Sequence, residues 1–183
     1  MTLHPDAIRR AVVVGTSGSG KSTFARQLAE KLGCPHIELD SVYWQDNWQP
    51  REDTDLFAAL SEATSGQFWV LDGNYTRTRG VTWAKADTII WLDYPRALVM
   101  WRILRRTFGR VLSGKRLWNT NNVETWRIAF FSKDSVIWWA WTTYTRNRRQ
   151  YLDLIAQPPP EYAHLRFVRL QSPREAAAWL ERL

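Results

Sequence analysis

The chain has 183 residues, 45% of them hydrophobic, a net charge of +7, 12 tryptophans and a single cysteine. That apolar content excludes a disordered class and suits one domain with a real core. The lone Cys34 excludes an internal disulfide and points to a reducing, cytoplasmic setting, while the positive charge asks for an anionic ligand or surface.

In chain order, "MTLHPDAIRR" lacks the long apolar stretch of a secretory leader. Ala11 to Val14 is a β-branched run that reads as a buried strand. From Lys21 to Leu32, apolar Phe24, Leu28 and Leu32 recur every fourth residue, which predicts a helix stopped by Gly33. Ile37 to Leu39 reads as a second strand ending at Asp40, and "DTDLFAALSEAT" as a helix closed by Gly66. "QFWVLDGNY" and "DTIIWLDYP" read as third and fourth strands, each running into an aspartate, Asp72 and Asp93. "HLRFVRL" is a fifth, followed by a helix that Ser172 and Pro173 open as N-cap and first helical residue. Five strands alternating with helices predict an α/β fold whose parallel sheet is covered on both faces.

Residues 96–157 break this rhythm with arginine and tryptophan. "YPRALVMWRILRRTFGR" predicts a helix with Leu98, Trp101 and Leu104 or Arg105 on neighbouring turns, and "LSGKRLWNTNNVE" a polar loop. "TWRIAFFSKDSVIWWAWTTYTRNRRQYLDLIAQ" reads as one long helix or two. The greasiest stretch, Ser135 to Thr145, is about half the roughly 20 residues of a membrane span. The block is expected to sit on the sheet as an insertion or lid.

The sharpest motif is "GTSGSGKS": Gly15, Gly20, Lys21 and Ser22 match G-x-x-x-x-G-K-[ST], with Ser17, Gly18 and Ser19 between them and Thr23 after. Small residues between a strand and a helix let successive backbone N–H groups turn inward as an anion nest, where the helix dipole also favours negative charge. Lys21 then reaches the β- and γ-phosphates of a nucleotide, and Ser22 offers its hydroxyl to Mg²⁺. Asp72, at a carboxyl strand end, faces the same crevice as a Mg²⁺-water ligand or substrate contact. Asp40 and Asp93 share that position, although Tyr94 and Pro95 suggest that Asp93 starts a helix instead.

The phosphate loop, "VLDGNY" and "ADTIIWLDYPRALVMWRILRRTFGR" together resemble the nucleoside-monophosphate-kinase group, in particular its adenylate-kinase-like branch known as DNA topology modulation proteins. "LDSVYWQDNWQPR", "WRILRRT" and "YAHLRFVRLQSPREAAAWL" carry the likeness over nearly the whole chain. It implies a three-layer P-loop NTPase with a five-stranded parallel sheet of the nucleoside-monophosphate-kinase type, as one domain over residues 1–183 with a helical lid within 96–157. It also implies phosphoryl transfer from Mg-ATP to a small-molecule acceptor near Asp40 and Asp72, a nucleoside monophosphate being the acceptor of kin. Thr23 would contact the α-phosphate, and Ser172 to Arg174 would hold adenine. The sequence departs at the turn after Asp72, where Gly73-Asn74-Tyr75 puts off the arginines to Arg77 and Arg79. It departs again at the lid motif, where Asn121, Asn122 and Glu124 lack a preceding glycine.

Phosphoryl transfer asks mainly for positioning and for cations over the moving group. Arg102 and Arg106, four apart on one helix face, are the candidates for catalytic lid arginines, with Arg110, Arg116 and Arg127 behind them. "TRNRRQ" reads either as a nucleic-acid contact beside Trp138, Trp139, Trp141 and Tyr144 or, preferably, as a basic C-terminal turn closing a hydrophobic helix. A membrane-surface helix is disfavoured, because Lys133 and Asp134 interrupt the apolar run. Asp40, Tyr43, Trp44, Trp48 and Arg51 form either a stacking pocket or plain core. His4, His36 and His164 read as structural. The rival function is a nucleotide-dependent DNA-binding or regulatory ATPase, and oligomeric state stays open.

Overall fold

A computed structural model describes residues 8–114, 116–118, 120–127, 129 and 135–183. The elements are β1 (Arg10–Gly15), α1 (Lys21–Leu32), β2 (His36–Glu38), α2 (Leu39–Tyr43), α3 (Asp53–Ala63), β3 (Trp69–Asp72), α4 (Arg79–Thr82), β4 (Thr88–Leu92), α5 (Arg96–Ser113), α6 (Val136–Ala156), β5 (Arg166–Leu170) and α7 (Pro173–Glu181). All strand pairs are parallel, in the order β2-β3-β1-β4-β5.

Alternation along the strands builds two cores. Ala11, Val13, Val70, Ile90 and Leu92 pack with Phe24, Leu28 and Trp179 on the face of α1 and α7. Val12, Val14, Leu71, Ile89 and Trp91 pack with Leu56, Leu60 and Tyr151 on the other. A strand buried on both sides needs no polar face, which is why β1 and β4 read as unbroken apolar runs. β1 lies at the centre of the sheet and delivers the loop after Gly15 to the carboxyl edge, flanked by the ends of β3 and β4.

Several expectations change. The second strand stops at Glu38, so Asp40 sits in the first turn of α2 rather than at a strand end. Asp93 starts no helix: α5 is entered from Pro95 with no side-chain cap. The buried face of α5 is Val99, Ile103 and Thr107, whereas Trp101, Leu104, Phe108 and Leu112 point outward. "TRNRRQ" lies inside α6, well before its end. α6 begins at Val136 with Ser135 as its N-cap, while residues 128 and 130–134, Lys133 and Asp134 included, lie outside the described residues, as does His4.

Candidate functional site

The loop between β1 and α1 closes under tight steric terms. Gly15 has φ 152°, and a Cβ there would stand 2.8 Å from Ser19 Oγ and 2.9 Å from the Leu92 carbonyl oxygen. Gly18, at φ 86°, lies so near α5 that a Cβ would meet the Val99 carbonyl oxygen at 2.7 Å. Only glycine tolerates both the left-handed backbone and this approach. Gly20 adopts the left-handed conformation at the N-cap of α1 without a side-chain cap, so the first N–H groups of the helix are left to a ligand. From α5, Arg102 donates to the Ser19 carbonyl oxygen at 3.2 Å. Ser19 Oγ is buried with no hydrogen-bond partner in the structure, as a cradle awaiting an anion would leave it.

Strand register assembles the charges around α1. Glu38 and Asp72 are register partners at the carboxyl edge. Because strand residues two apart share a face, His36 lies on their side of the sheet. Ser22 Oγ donates to Asp72 Oδ1 at 3.1 Å, and His36 Nε2 meets Asp72 Oδ2 at 2.8 Å. Asp72 is buried, so both oxygens are committed within the protein. His36 therefore has a partner at the site that the sequence reading did not name. The overlooked signal was the strand parity of residues 36, 38, 70 and 72. Oxygen donors alone, a hydroxyl beside a carboxylate, suit a hard cation such as Mg²⁺.

Lys21 is drawn among Asp40, Asp72 and Glu38, but burial pushes its ammonium below the ordinary 10.5, and Arg106 adds to the depression. The empty protein gains stability as pH rises from that lowered value toward 10.5, because the unfolded chain then binds more protons. A polyphosphate reverses the preference and raises the Lys21 pKa. Affinity for ATP is accordingly expected to decline with rising pH before 10.5 is reached, with proton uptake on binding. Calorimetric titrations in buffers of different ionisation enthalpy measure both. A decline beginning only above 10.5 would contradict this account of Lys21.

Above the loop opens a cleft of about 690 Å³. It runs from Pro173 and Ala176 on α7, past Gly18 to Thr23, to Glu38 and Trp118. Arg102, Arg106, Arg110 and Arg116 line it. Burial and the neighbouring Arg110 guanidinium lower the Arg106 pKa, against the pull of Glu124. Arg106 Nε is buried without a partner in the structure. Arg110 reaches Glu124 Oε1 at 3.4 Å, so Glu124 faces the arginine pair from the loop after α5.

The remaining sequence candidates fall as follows. Gly15 and Ser17 belong to the loop but not to the cleft lining, and Thr23 lines the cleft. Asp40 Oδ1 accepts from the Tyr75 hydroxyl at 2.9 Å, outside the lining. Ser172 Oγ caps α7 by accepting from the Glu175 amide, and Arg174 is exposed and off the lining, as is Arg127. Asp93 is held by Arg148 of α6 at 2.8 Å and Arg169 of β5 at 2.6 Å, which makes it a structural carboxylate. That pairing also takes one arginine of "TRNRRQ" away from any outside partner. The aromatic segment after α2 forms a chain of rings, Tyr75–Tyr43–Trp44–Trp48–Trp118, that extends to the cleft. Asn122 clips the lid loop to this segment, accepting from the Trp48 amide at 2.7 Å and donating to the Gln45 carbonyl at 2.8 Å.

The AAA domain family AAA_33 matches residues 11–177 of the chain. Among solved structures, a shikimate kinase from Acinetobacter baumannii in complex with shikimate is similar, at 18% identity and a TM-score of 0.55, over 96% of this chain and 90% of that one. A gluconokinase from Sinorhizobium meliloti 1021 gives 20% identity and a TM-score of 0.52 over 96% and 93%. A shikimate kinase from Bacteroides thetaiotaomicron gives 15% and 0.51 over 96% of each chain. These likenesses show the α/β P-loop kinase fold. The "Uncharacterized protein YqaC" of Bacillus subtilis (strain 168) is 26% identical over 100 residues, which span 54% of this chain and only 56% of that protein.

Proposed function

The chain belongs to the AAA_33 family of AAA domains, and from that premise we propose that it is a P-loop phosphotransferase moving the γ-phosphoryl of ATP to a small-molecule acceptor. The observation that carries the reading is one continuous cleft that holds the glycine loop and Lys21, is lined by Arg102, Arg106, Arg110 and Arg116, and extends to Glu38 and Trp118. A site built for hydrolysis alone needs no second compartment beyond the lysine.

In this reading the amides of Gly18 to Ser22 and the Lys21 ammonium hold the triphosphate, Thr23 meets the α-phosphate, and the α7 end takes the base. Ser22 and Asp72 would hold Mg²⁺, which when bound neutralises charge on the β- and γ-phosphates. Arg106, short of a partner inside the protein, aims its donors at the moving phosphoryl, while Arg102 keeps the loop seated through the Ser19 carbonyl. A lid within residues 96–157 of a single domain, clipped by Asn122 to the acceptor segment, excludes water, the competing acceptor. A DNA-binding ATPase is the weaker reading, since the cleft arginines face the loop and Arg148 is spent on Asp93. No helix of the described residues is long and apolar enough to cross a membrane.

ADP release is expected to depend on an added acceptor and on Mg²⁺. Asp72→Asn keeps the bond from Ser22 but loses the charge, and should raise the Mg²⁺ concentration needed for half-maximal turnover about 10- to 100-fold. Mg²⁺ titration of turnover, with Mn²⁺ binding followed separately by electron paramagnetic resonance, measures it. ADP release that ignores every acceptor would refute phosphotransfer.

A further inference from the structure

We propose that the acceptor is an uncharged polyhydroxylated compound that presents a hydroxyl beside Glu38, and not a phosphate-bearing nucleotide; the inference rests on the phosphotransferase reading.

The argument starts from charge beyond Lys21. Glu38 ends β2 and lines the cleft there. Asp40 and Asp72 stand near enough to act with it on the Lys21 ammonium. Of these three carboxylates Glu38 is the one that lines the cleft. A phosphate monoester brought against Glu38 meets like charge and needs cations of its own.

Arg51, Arg77 and Arg79 are turned elsewhere. Arg77 pairs with Asp53 at 3.1 Å and lies over the Tyr43 ring at 4.8 Å. Arg79 lies over the Trp83 ring at 4.4 Å and the Tyr151 ring at 5.5 Å. Arg51 Nε donates to the Val42 carbonyl at 2.8 Å. None of the three lines the cleft. Of the arginines that line it from α5 and the loop after it, Arg102 is committed to the loop backbone, Arg110 to Glu124 and Arg106, in the phosphotransferase reading, to the moving phosphoryl, with Arg116 as the remaining one.

What the acceptor end offers is the chemistry that receives hydroxylated rings. Carboxylate oxygens accept from hydroxyl groups, and indole faces take the apolar side of a ring. Trp118 supports both. Its Nε1 donates to Glu38 Oε1 at 3.0 Å, and its ring meets Trp48 edge-on at 5.8 Å. Trp118 and Trp48 each hold a left-handed backbone, at φ 52° and 57°, a conformation that bulky residues keep only where surrounding contacts impose it.

With Glu38 Oε1 held by the indole, Oε2 takes the acceptor proton. The acceptor oxygen forms the new bond to the γ-phosphorus while the bond from that phosphorus to the β–γ bridging oxygen breaks. The electron pair stays with ADP, and the proton passes from the hydroxyl to Glu38 and then to water. The products are a phosphate monoester and ADP.

The test measures ADP release by the full chain with Mg-ATP and two acceptor panels, uncharged sugars, polyols and nucleosides against nucleoside monophosphates and sugar phosphates. Phosphorus NMR identifies the product as an ester or an anhydride. A member of the uncharged panel should stimulate release and yield an ester. With it, Glu38→Gln should lower kcat about 100-fold while ATP affinity by calorimetry is kept, and Glu38→Asp should recover part of the loss. Stimulation by nucleoside monophosphates with an anhydride product overturns the inference and leaves phosphotransfer standing. So does a Glu38→Gln variant that binds ATP and keeps its kcat. Nucleotide binding with no stimulation by either panel overturns phosphotransfer itself, and this inference with it.

Discussion

Lys21→Ala is expected to lower acceptor-dependent kcat by about two to three orders of magnitude, the scale for removing one preorganised charge from a transition state. The loop would survive the change, since its shape is set by Gly15, Gly18 and Gly20 and by the Arg102 bond to the Ser19 carbonyl. The charges around the lysine explain why the loss cannot be made up. Lys21 offsets Asp40, Asp72 and Glu38, and without it three carboxylates face the incoming triphosphate. Arg106 does not substitute, because it reaches the site from the lid side. Steady-state kinetics with ATP and acceptor varied separately should show the loss in kcat, with a smaller rise in the KM for ATP. A variant within tenfold of the parent (~1.4 kcal/mol) would remove Lys21 from the mechanism.

Asp93→Ala is expected to cost about 2–3 kcal/mol of folding stability and roughly 5–10 °C in Tm. The carboxylate is buried at the end of β4, and it takes bonds from Arg148 Nε at 2.8 Å and from Arg169 Nε and NH2 at 2.9 and 2.6 Å. Three elements, β4, β5 and α6, are thereby tied at one point. Removing the carboxylate leaves two guanidinium groups facing each other over a hole. The estimate sits below the 3–5 kcal/mol typical of fully buried pairs because the arginine side chains stay 40% and 31% exposed and regain water. Denaturant unfolding followed by tryptophan fluorescence measures the change. A loss under about 0.5 kcal/mol would class the cluster with ordinary surface bridges.

Fold class and phosphate loop were legible in the sequence because each rests on local rules. The order of strands and helices follows from hydrophobic period, and α1 from Phe24 to Gly33 needs only its own spacing and a left-handed glycine at its end. The loop is written in three glycines whose φ values no other residue holds comfortably. The helix of α5 was legible too, but its inward face was not. Trp101, Leu104, Phe108 and Leu112 make an apolar stripe as regular as Val99, Ile103 and Thr107, and only the packing of Gly18 against α5 shows which stripe turns in.

The carboxylates were beyond local reading. Asp40, Asp72 and Asp93 look alike, each an aspartate after an apolar run. Register made Asp72 the partner of Glu38 and brought it His36 and Ser22, crossing gave Asp93 two arginines, and an early end to β2 moved Asp40 into a helix and left Glu38 at the edge. The sequence by itself determined where an anion binds, since backbone conformation is a property of neighbouring residues. Only the tertiary structure decided which charges surround that anion, since a charge's role depends on partners 14 to 83 residues away, brought near by strand pairing and helix packing.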